Sequence, residues 1–251
     1  MVCTASVCGI YSIQFFGVYF ITLIAAIAHI GLSGISRKNC GLIFLLTGIF
    51  TSFIDLLTFP LLTLVVPFLV WLSVAERGSS NRSLVVDAAL YIFLWGLGYF
   101  GMWCGKWVLA TIVTNVDVIA LATNSIIFRT LRGDSTSGSV LQAILLNYSY
   151  YKQSFFVIIL PCLIFSVFVG IKGFRRNMFD KSKVIVPIVI CCFVAIFPII
   201  WIAILTNHSY IHSWFVYRIC FISPLAIMSA CLMPYLVHSR KNTAKENTSH
   251  M

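Results

Sequence analysis

The amino-acid sequence predicts an all-α fold, a polytopic bundle of transmembrane helices. Of the 251 residues, 60% are hydrophobic and 10% are charged, whereas a soluble domain carries about 25% charged residues. The mean hydropathy is +1.00, and several apolar runs reach the roughly 20 residues that one helix needs to cross a bilayer. The sequence has no phosphate loop, dinucleotide fingerprint or nucleophile elbow, so a soluble catalytic domain is not predicted.

About seven membrane-crossing segments follow from the apolar runs. The run 41–75 would be about 52 Å long as one helix, which is too long for a single span. Pro60 interrupts helical hydrogen bonding and disfavours helix in the residue before it. We therefore predict two short spans, or a re-entrant hairpin, bent at Phe59 and Pro60. The other predicted spans are 9–35, 84–105, 154–171, 184–205 and 219–237.

The segments between these spans differ in character. Residues 108–128 are apolar but carry polar residues at loosely helical spacing, which favours a helix at the membrane interface or against the bundle. Residues 129–153 are predicted to form a polar loop. The helical bundle then comprises residues 1–237, and residues 238–251 form a polar cytoplasmic tail. Four glycines in span 84–105 indicate close helix packing: Gly96, Gly98, Gly101 and Gly105.

The placement of basic residues predicts an N-terminus outside and a C-terminus in the cytoplasm. Cytoplasmic loops of membrane proteins carry an excess of Lys and Arg. Of the 17 such residues, the predicted layout leaves five on the outer side: Lys106, Arg129, Arg132, Lys152 and Arg218. The others lie in loops 36–40, 76–83 and 172–183 and in the tail. We therefore assign the net charge of +10 to topology and predict no nucleic-acid partner.

The connector between the last two spans, residues 205–218, concentrates polar chemistry in a short segment. It contains Asn207, His208, His212, Tyr217 and Arg218. Trp and Tyr favour the headgroup layer, so an interfacial anchor is one explanation of its aromatic residues. The alternative is a binding site, because the planar guanidinium of Arg suits phosphate oxygens. His can also transfer protons near neutral pH.

Asp55 lies inside an apolar run and is predicted to have a partner. A charged residue at a helix centre costs roughly 2.5–3.5 kcal/mol on insertion scales. The candidate partners are Lys106, Arg218 or a protonated His. One interpretation is an ion pair that serves helix packing. The other is that Asp55 orients one of these cations or a group of a substrate.

The candidate site residues are assigned to two roles. Asp55, His208 and His212 are the candidate catalytic residues, and the candidate substrate-binding residues are Lys106, Arg129, Asn207, Tyr217 and Arg218. No metal is predicted, because His208 and His212 share helical spacing but lack a third ligand in the sequence. The nine cysteines lie mostly in apolar runs without metal-binding spacing. No cofactor is predicted.

Three stretches resemble a family of uncharacterised multi-pass bacterial membrane proteins. They are GIFTSFIDLLTFPLLT (48–63), WGLGYFGMWCGKW (95–107) and NHSYIHSWFVYR (207–218). The resemblance covers most of the chain, as the C-terminal half of longer members. Those members are similar in turn to membrane glycosyltransferases of the C type, which use polyprenyl-phosphate sugars and place a catalytic acidic residue on an early outer loop. Residues upstream of position 9 do not provide such a loop.

Together these observations favour a protein of the bacterial cytoplasmic membrane with an outer-face polar pocket. Its expected ligand is a membrane lipid, a polyprenyl-phosphate-linked substrate of cell-envelope glycan assembly, and its activity, if enzymatic, would resemble polyprenyl-phosphate-dependent glycosyl transfer. Two alternatives stay open. Broken helices with polar residues at the breaks are typical of transporters and flippases, and the chain could also be a non-catalytic fragment or subunit of a membrane assembly.

Overall fold

The computed structural model describes residues 13–31, 36–55, 57–74, 81–130, 138–175 and 181–249, and the structural statements below refer to these residues. This part of the chain is helical and contains no β-strand, which confirms the predicted all-α class. The helices are α1 (Ile13–Gly31), α2 (Arg37–Ile54), α3 (Leu61–Val74), α4 (Asn81–Thr114), α5 (Val118–Thr130), α6 (Val140–Ser154), a π-helical turn (Phe155–Ile159), α7 (Leu160–Arg175), α8 (Lys181–Val194), α9 (Phe197–Ile204), α10 (Thr206–Ile211), α11 (Ser213–Val216), a 3₁₀ turn (Tyr217–Phe221) and α12 (Ile222–Ser249).

Four helical stretches in the described residues are long and apolar enough to cross a membrane. They are Asn81–Thr114, Phe155–Arg175, Lys183–Ile204 and Ser213–Tyr235. Their outer faces, and that of α1, expose large apolar side chains such as Ile24, Leu97 and Val157. Water-soluble monomers rarely expose contiguous apolar patches above a few hundred Å². These features indicate a membrane protein.

The bend predicted at Phe59 and Pro60 is confirmed. Helix α2 ends at Ile54 and α3 begins at Leu61, so the apolar run divides into two antiparallel helices. The N–H of Leu62 donates to the Phe59 carbonyl (3.2 Å), and the N–H of Thr63 donates to the Pro60 carbonyl (3.1 Å). These bonds start α3 directly after the proline, whose fixed φ suits the beginning of a helix.

Helices α2 and α4 run parallel and in close contact. Arg37 pairs with Asp87 at one end, and Lys106 reaches the carbonyl of Ser52 at the other. Between these points the backbones meet at two glycines. A Cβ added at Gly98 would overlap the Leu45 carbonyl oxygen, and one added at Gly48 would overlap the Trp95 carbonyl oxygen. Of the four glycines in span 84–105, only Gly98 makes such a contact; the others have open space.

Several segments differ from the sequence-based expectation. Helix α4 continues to Thr114 instead of ending near Gly105. The loop predicted at 129–153 contains helix α6, which begins with a capping box between Ser139 and Gln142. The connector 205–218 folds into short helices with buried polar residues. Helix α12 extends through the predicted tail to Ser249, since no glycine or proline follows Pro234 to end it.

The contact at Gly98 predicts a measurable loss of stability on substitution. Gly98→Ala should destabilise the protein by about 1–3 kcal/mol, because the added methyl group overpacks the α2–α4 contact. Thermal unfolding in detergent, followed with a thiol-reactive dye, measures the change. Gly96→Ala is the control, since its Cβ meets nothing within 4 Å and alanine favours helix. Equal melting temperatures for the two variants would contradict the close-contact interpretation.

Candidate functional site

Asp55 holds the bend between α2 and α3 by hydrogen bonding. Its side chain is 1% exposed. Its Oδ1 accepts hydrogen bonds from the Thr58 hydroxyl (2.6 Å) and the Phe59 N–H (2.9 Å), and its Oδ2 accepts one from the Thr58 N–H (3.1 Å). Tyr99 adds a longer contact to Oδ2 (3.5 Å). Hydrogen bonds from several donors favour a buried carboxylate. The partners of Asp55 in the described residues are therefore neutral, and the expected ion pair with Lys106, Arg218 or His is not formed.

The bend that Asp55 holds places Leu57 in an unusual conformation. Leu57 has φ 66°, and a positive φ is an outlier for a bulky residue. Such conformations cost about 1–3 kcal/mol and cluster at functional sites. Here the Leu57 side chain lines a cavity, while its backbone carbonyl lies beside the His208 ring. The strained residue thus connects the bend to helix α10.

Lys106 is bound within the protein. Its Nζ donates to the Ser52 carbonyl (2.6 Å) in the last turn of α2. It also lies over the rings of Phe53 and Trp103, 4.9 and 5.0 Å from their centroids. A cation is favoured at a helix C-terminus and over aromatic faces. This environment explains why α4 continues through Lys106 and gives the lysine a structural role.

Helix α10 supplies four consecutive buried polar residues, from Thr206 to Ser209. Asn207 is 0% exposed, and its Nδ2 donates to the Phe128 carbonyl of α5 (2.6 Å). The carbonyl of Ser209 accepts a hydrogen bond from Nδ2 of Asn147 on α6 (2.8 Å). His208 lies between these contacts, and its Nε2 is buried with no hydrogen-bond partner among the described residues. The two amides join α10 to α5 on one side and to α6 on the other.

Burial lowers the pKa of His208 to about 4. The neighbouring His212, whose ring centroid is 4.8 Å away, and the positive charge of Arg129 lower it further, and the Leu57 carbonyl partly opposes the shift. His208 is therefore neutral at neutral pH. A neutral imidazole with an unpartnered ring nitrogen can accept or donate one hydrogen bond, depending on its tautomer.

An apolar cavity of about 410 Å³ opens between α4 and α5. Tyr99, Trp103 and Trp107 line it from α4 at four-residue spacing, which places them on one helical face. The remaining lining is Leu57, Phe100, Cys104, Ala122, Ser125, Ile126, Arg129, Thr130, Ile204 and Leu205. Of the described residues in this lining, Arg129 alone carries a permanent charge. The cavity therefore suits an apolar chain that ends in an anionic group.

A second cavity, of about 480 Å³, lies on the other side of α5 and is more polar. It is lined by Leu121, Asn124, Ser125, Phe128, Arg129, His208, Ile211 and His212. Ser125 and Arg129 line both cavities, so α5 forms the wall between them. Within the described part of the chain, no residue forms a hydrogen bond or ion pair with the Arg129 guanidinium, which is therefore available to a ligand.

The structure groups some of the candidate residues and separates others. Arg129, His208 and His212 line one cavity, and Asn207 bonds to Phe128 in its wall. Asp55 and Lys106 instead contact Tyr99 and Trp103, which line the other cavity. Tyr217 and Arg218 belong elsewhere. Tyr217 stacks on Tyr150, with ring centroids 6.1 Å apart, and Arg218 lies over Phe215 and donates from Nε to its carbonyl (3.1 Å). Neither Tyr217 nor Arg218 lines the two cavities.

Residues that sequence reasoning missed make up much of the cavity walls. The aromatic stripe Tyr99, Trp103 and Trp107 is visible in the sequence as an i, i+4, i+8 pattern, provided that the helix is continued past Lys106. Asn124 and Ser125 are polar residues of segment 108–128, for which the sequence favours a helix at the membrane interface or against the bundle. Comparison with known proteins adds no relative to these observations: no family model, no curated protein and no solved structure matches the chain.

The hydrogen bonds to Asp55 predict a graded loss of stability on substitution. Asp55→Ala should cost about 3 kcal/mol, since it leaves buried donors without an acceptor at about 1–3 kcal/mol each. That is about 6–12 °C in melting temperature for a chain of this size. Asp55→Asn keeps an acceptor oxygen for Thr58 and Phe59 and should cost clearly less. A purely catalytic Asp55 would instead leave both variants as stable as the wild type.

The lowered pKa of His208 predicts that the folded protein becomes less stable as the pH is lowered. In the unfolded chain His takes up a proton near pH 6.5, whereas the folded protein resists it until about pH 4. Stability should therefore decrease as the pH drops from about 6.5 towards 4, by on the order of 3 kcal/mol in total. Melting temperatures across this range should fall less steeply in His208→Gln. The side chain of His212 is exposed, so His212→Gln should keep most of the wild-type dependence of melting temperature on pH. Identical slopes of melting temperature against pH in all three proteins would contradict the assignment of this dependence to His208.

Proposed function

We propose that this chain is a multi-pass protein of the bacterial cell membrane that binds a lipid-linked phosphate or saccharide at its outer face, in cell-envelope glycan assembly. The observation that carries the proposal is the position of Arg129 at the border between an apolar aromatic cavity and a polar one. An isoprenoid or acyl chain fits the first cavity, a phosphate pairs with the guanidinium, and a hydroxylated headgroup occupies the second. Ligand sites of this kind are apolar with a few well-placed polar groups.

The proposed orientation has about seven crossing segments, with the cavities on the outer side. Support comes from the direction of the helices. Arg37 begins α2 and Arg82 lies in the first turn of α4, at the ends opposite Ser52 and Trp107 near the first cavity. Lys183 begins the span whose other end, Ile204, also lines that cavity. The basic ends of these helices would then face the cytoplasm, as the positive-inside rule requires.

The same contacts support a binding role for residues of α5 and α10. Asp55 and Lys106 are occupied by bonds within the protein, so we assign them to construction of the site. Arg129 binds phosphate, and His208 and His212 are the groups placed for proton transfer or hydrogen bonding to a headgroup. Whether a sugar is transferred or only bound is decided by activity of the purified protein with a polyprenyl-phosphate sugar.

Binding of farnesyl phosphate in nanodiscs tests the proposal. The wild type should bind it with a change in tryptophan fluorescence, because Trp103 and Trp107 line the cavity. Arg129→Met should weaken binding by about 10- to 150-fold, the loss of a charge-assisted hydrogen bond of about 1.5–3 kcal/mol. Farnesol, which lacks the phosphate, should bind the wild type and Arg129→Met equally.

Two further variants make the site assignment specific. Arg218→Met removes a guanidinium that lines neither cavity and should bind farnesyl phosphate like the wild type. Trp103→Phe should reduce the fluorescence change while retaining binding detected by mass spectrometry. If Arg129→Met binds as tightly as the wild type, or if Arg218→Met loses binding equally, the proposed site is wrong.

A further inference from the structure

Helix α5 forms the wall of both cavities but is held weakly by the bundle. None of its residues is buried, and the large apolar side chains of Ile119 and Ile127, which line neither cavity, are exposed. Helix α4, by contrast, buries Tyr91, Trp95 and Tyr99. A helix with few buried contacts belongs to the least stable part of a structure and opens most readily. The position of α5 therefore depends on a small number of specific contacts.

The start of α5 is a tight turn from α4. Asn115 has φ 54°, a left-handed conformation that Asn tolerates better than most residues. The Ala120 N–H donates to Asp117 Oδ1 (2.9 Å), and the Val118 N–H donates to the Thr111 hydroxyl (3.1 Å). These bonds fix the point at which the chain reverses. They leave the far end of α5, where Arg129 lies, to be held from elsewhere.

The far end of α5 is fixed by Asn207. Its Nδ2 donates to the Phe128 carbonyl at 2.6 Å, one residue before Arg129. Carbonyls in the last turn of a helix have no partner within the helix. The Asn207 amide supplies a donor to one of them, the Phe128 carbonyl. In the described residues it is the one hydrogen bond between α5 and α10. Asn207 is fully buried, and within the described part of the chain its Oδ1 has no hydrogen-bond partner that would hold the amide elsewhere.

We infer that Asn207 is a positioning residue that fastens α5 against α10 and so holds Arg129 between the two cavities. Release of this one bond lets α5 pivot about the turn at 115–117. The wall between the cavities then moves outward, and the two spaces become one groove that opens laterally. An amphiphile can enter such a groove with its chain in the membrane and its anionic group at the surface. The fastening is independent of the ligand, whereas its effect on ligand entry rests on the proposed function.

The chain contains a matched control for this inference. Asn147 is also fully buried, also leaves its Oδ1 without a partner in the described residues, and also fastens α10 through Nδ2, to the Ser209 carbonyl at 2.8 Å. Its Nδ2 donates in addition to the Ala143 carbonyl within α6 (2.8 Å). It joins α10 to α6 instead of α5. Asn207→Ala and Asn147→Ala therefore each remove one amide hydrogen bond between helices, on the two sides of one short helix. Only the first should free α5.

Hydrogen exchange measured by mass spectrometry on the full chain in nanodiscs tests the fastening. Asn207→Ala should raise amide exchange across residues 118–130 by about tenfold, the effect of losing one hydrogen bond of typical strength. Exchange in α6 and α12 should stay at the wild-type level. Asn147→Ala should raise exchange in α6 and leave α5 unchanged. If Asn207→Ala raises exchange equally in α5, α6 and α12, Asn207 supports the fold generally and the inference is overturned.

Ligand kinetics give a readout that a general structural role would not produce. With farnesyl phosphate as probe, Asn207→Ala should increase both the association and the dissociation rate, and the dissociation rate by more, because entry is easier and Arg129 is less well placed. Asn147→Ala should leave both rates within about twofold of the wild type. Unchanged rates in Asn207→Ala despite faster exchange of α5 would overturn the role in entry. Absence of farnesyl phosphate binding to the wild type would instead reject the proposed function and leave the fastening to be judged by hydrogen exchange.

Discussion

The arrangement of this protein depends on one buried carboxylate at a bend in the chain. Asp55 ends helix α2 and accepts hydrogen bonds from the residues that lead into α3. Burying an unpaired polar group costs several kcal/mol, and the bend supplies the backbone N–H groups of Thr58 and Phe59, which offset that cost. The carboxylate and the broken helix therefore stabilise each other. Without the bend, α2 and α3 would form one helix too long for a bilayer.

The bend also determines where the rest of the site lies. The bend turns α3 back through the bundle. Helix α4 then runs parallel to α2, and the two backbones touch at Gly48 and Gly98. That close approach brings Lys106 to the last turn of α2 and turns the aromatic stripe of α4 towards α5. Leu57, held in its left-handed conformation, contacts the cavity and the His208 ring. Residues far apart in the chain thus meet at one end of the bundle.

The sequence predicted the features that arise from composition and from local backbone rules. The membrane class, the bend at Pro60 and the need of Asp55 for partners all follow from hydropathy, proline chemistry and the cost of burying charge. The identity of those partners was not predicted. Two donors are backbone N–H groups, which carry no sequence signal, and the third is the hydroxyl of Thr58, a neutral side chain where a cation was expected. The length of α4 was underestimated for a related reason. A lysine in an apolar run is ordinarily taken as the end of a span, yet here the Ser52 carbonyl and two aromatic rings accommodate its charge.

Two other features of the structure differ from the prediction. The sequence contains a signal for the first of them but not for the second. The capping box of Ser139 and Gln142 is a sequence signature for a helix start, and it lies inside the segment interpreted as a loop. The separation of Arg218 from the cavities, in contrast, depends on how short helices pack after His212, and no local pattern encodes that.

Ionisable residues in a membrane protein indicate function by default, but Asp55 and Lys106 show how such residues can be satisfied entirely by the fold. Once those two are assigned to structure, the charge left facing the cavities is Arg129, on the helix with the fewest buried contacts. The one charge that faces both cavities therefore lies on the helix that the bundle buries least.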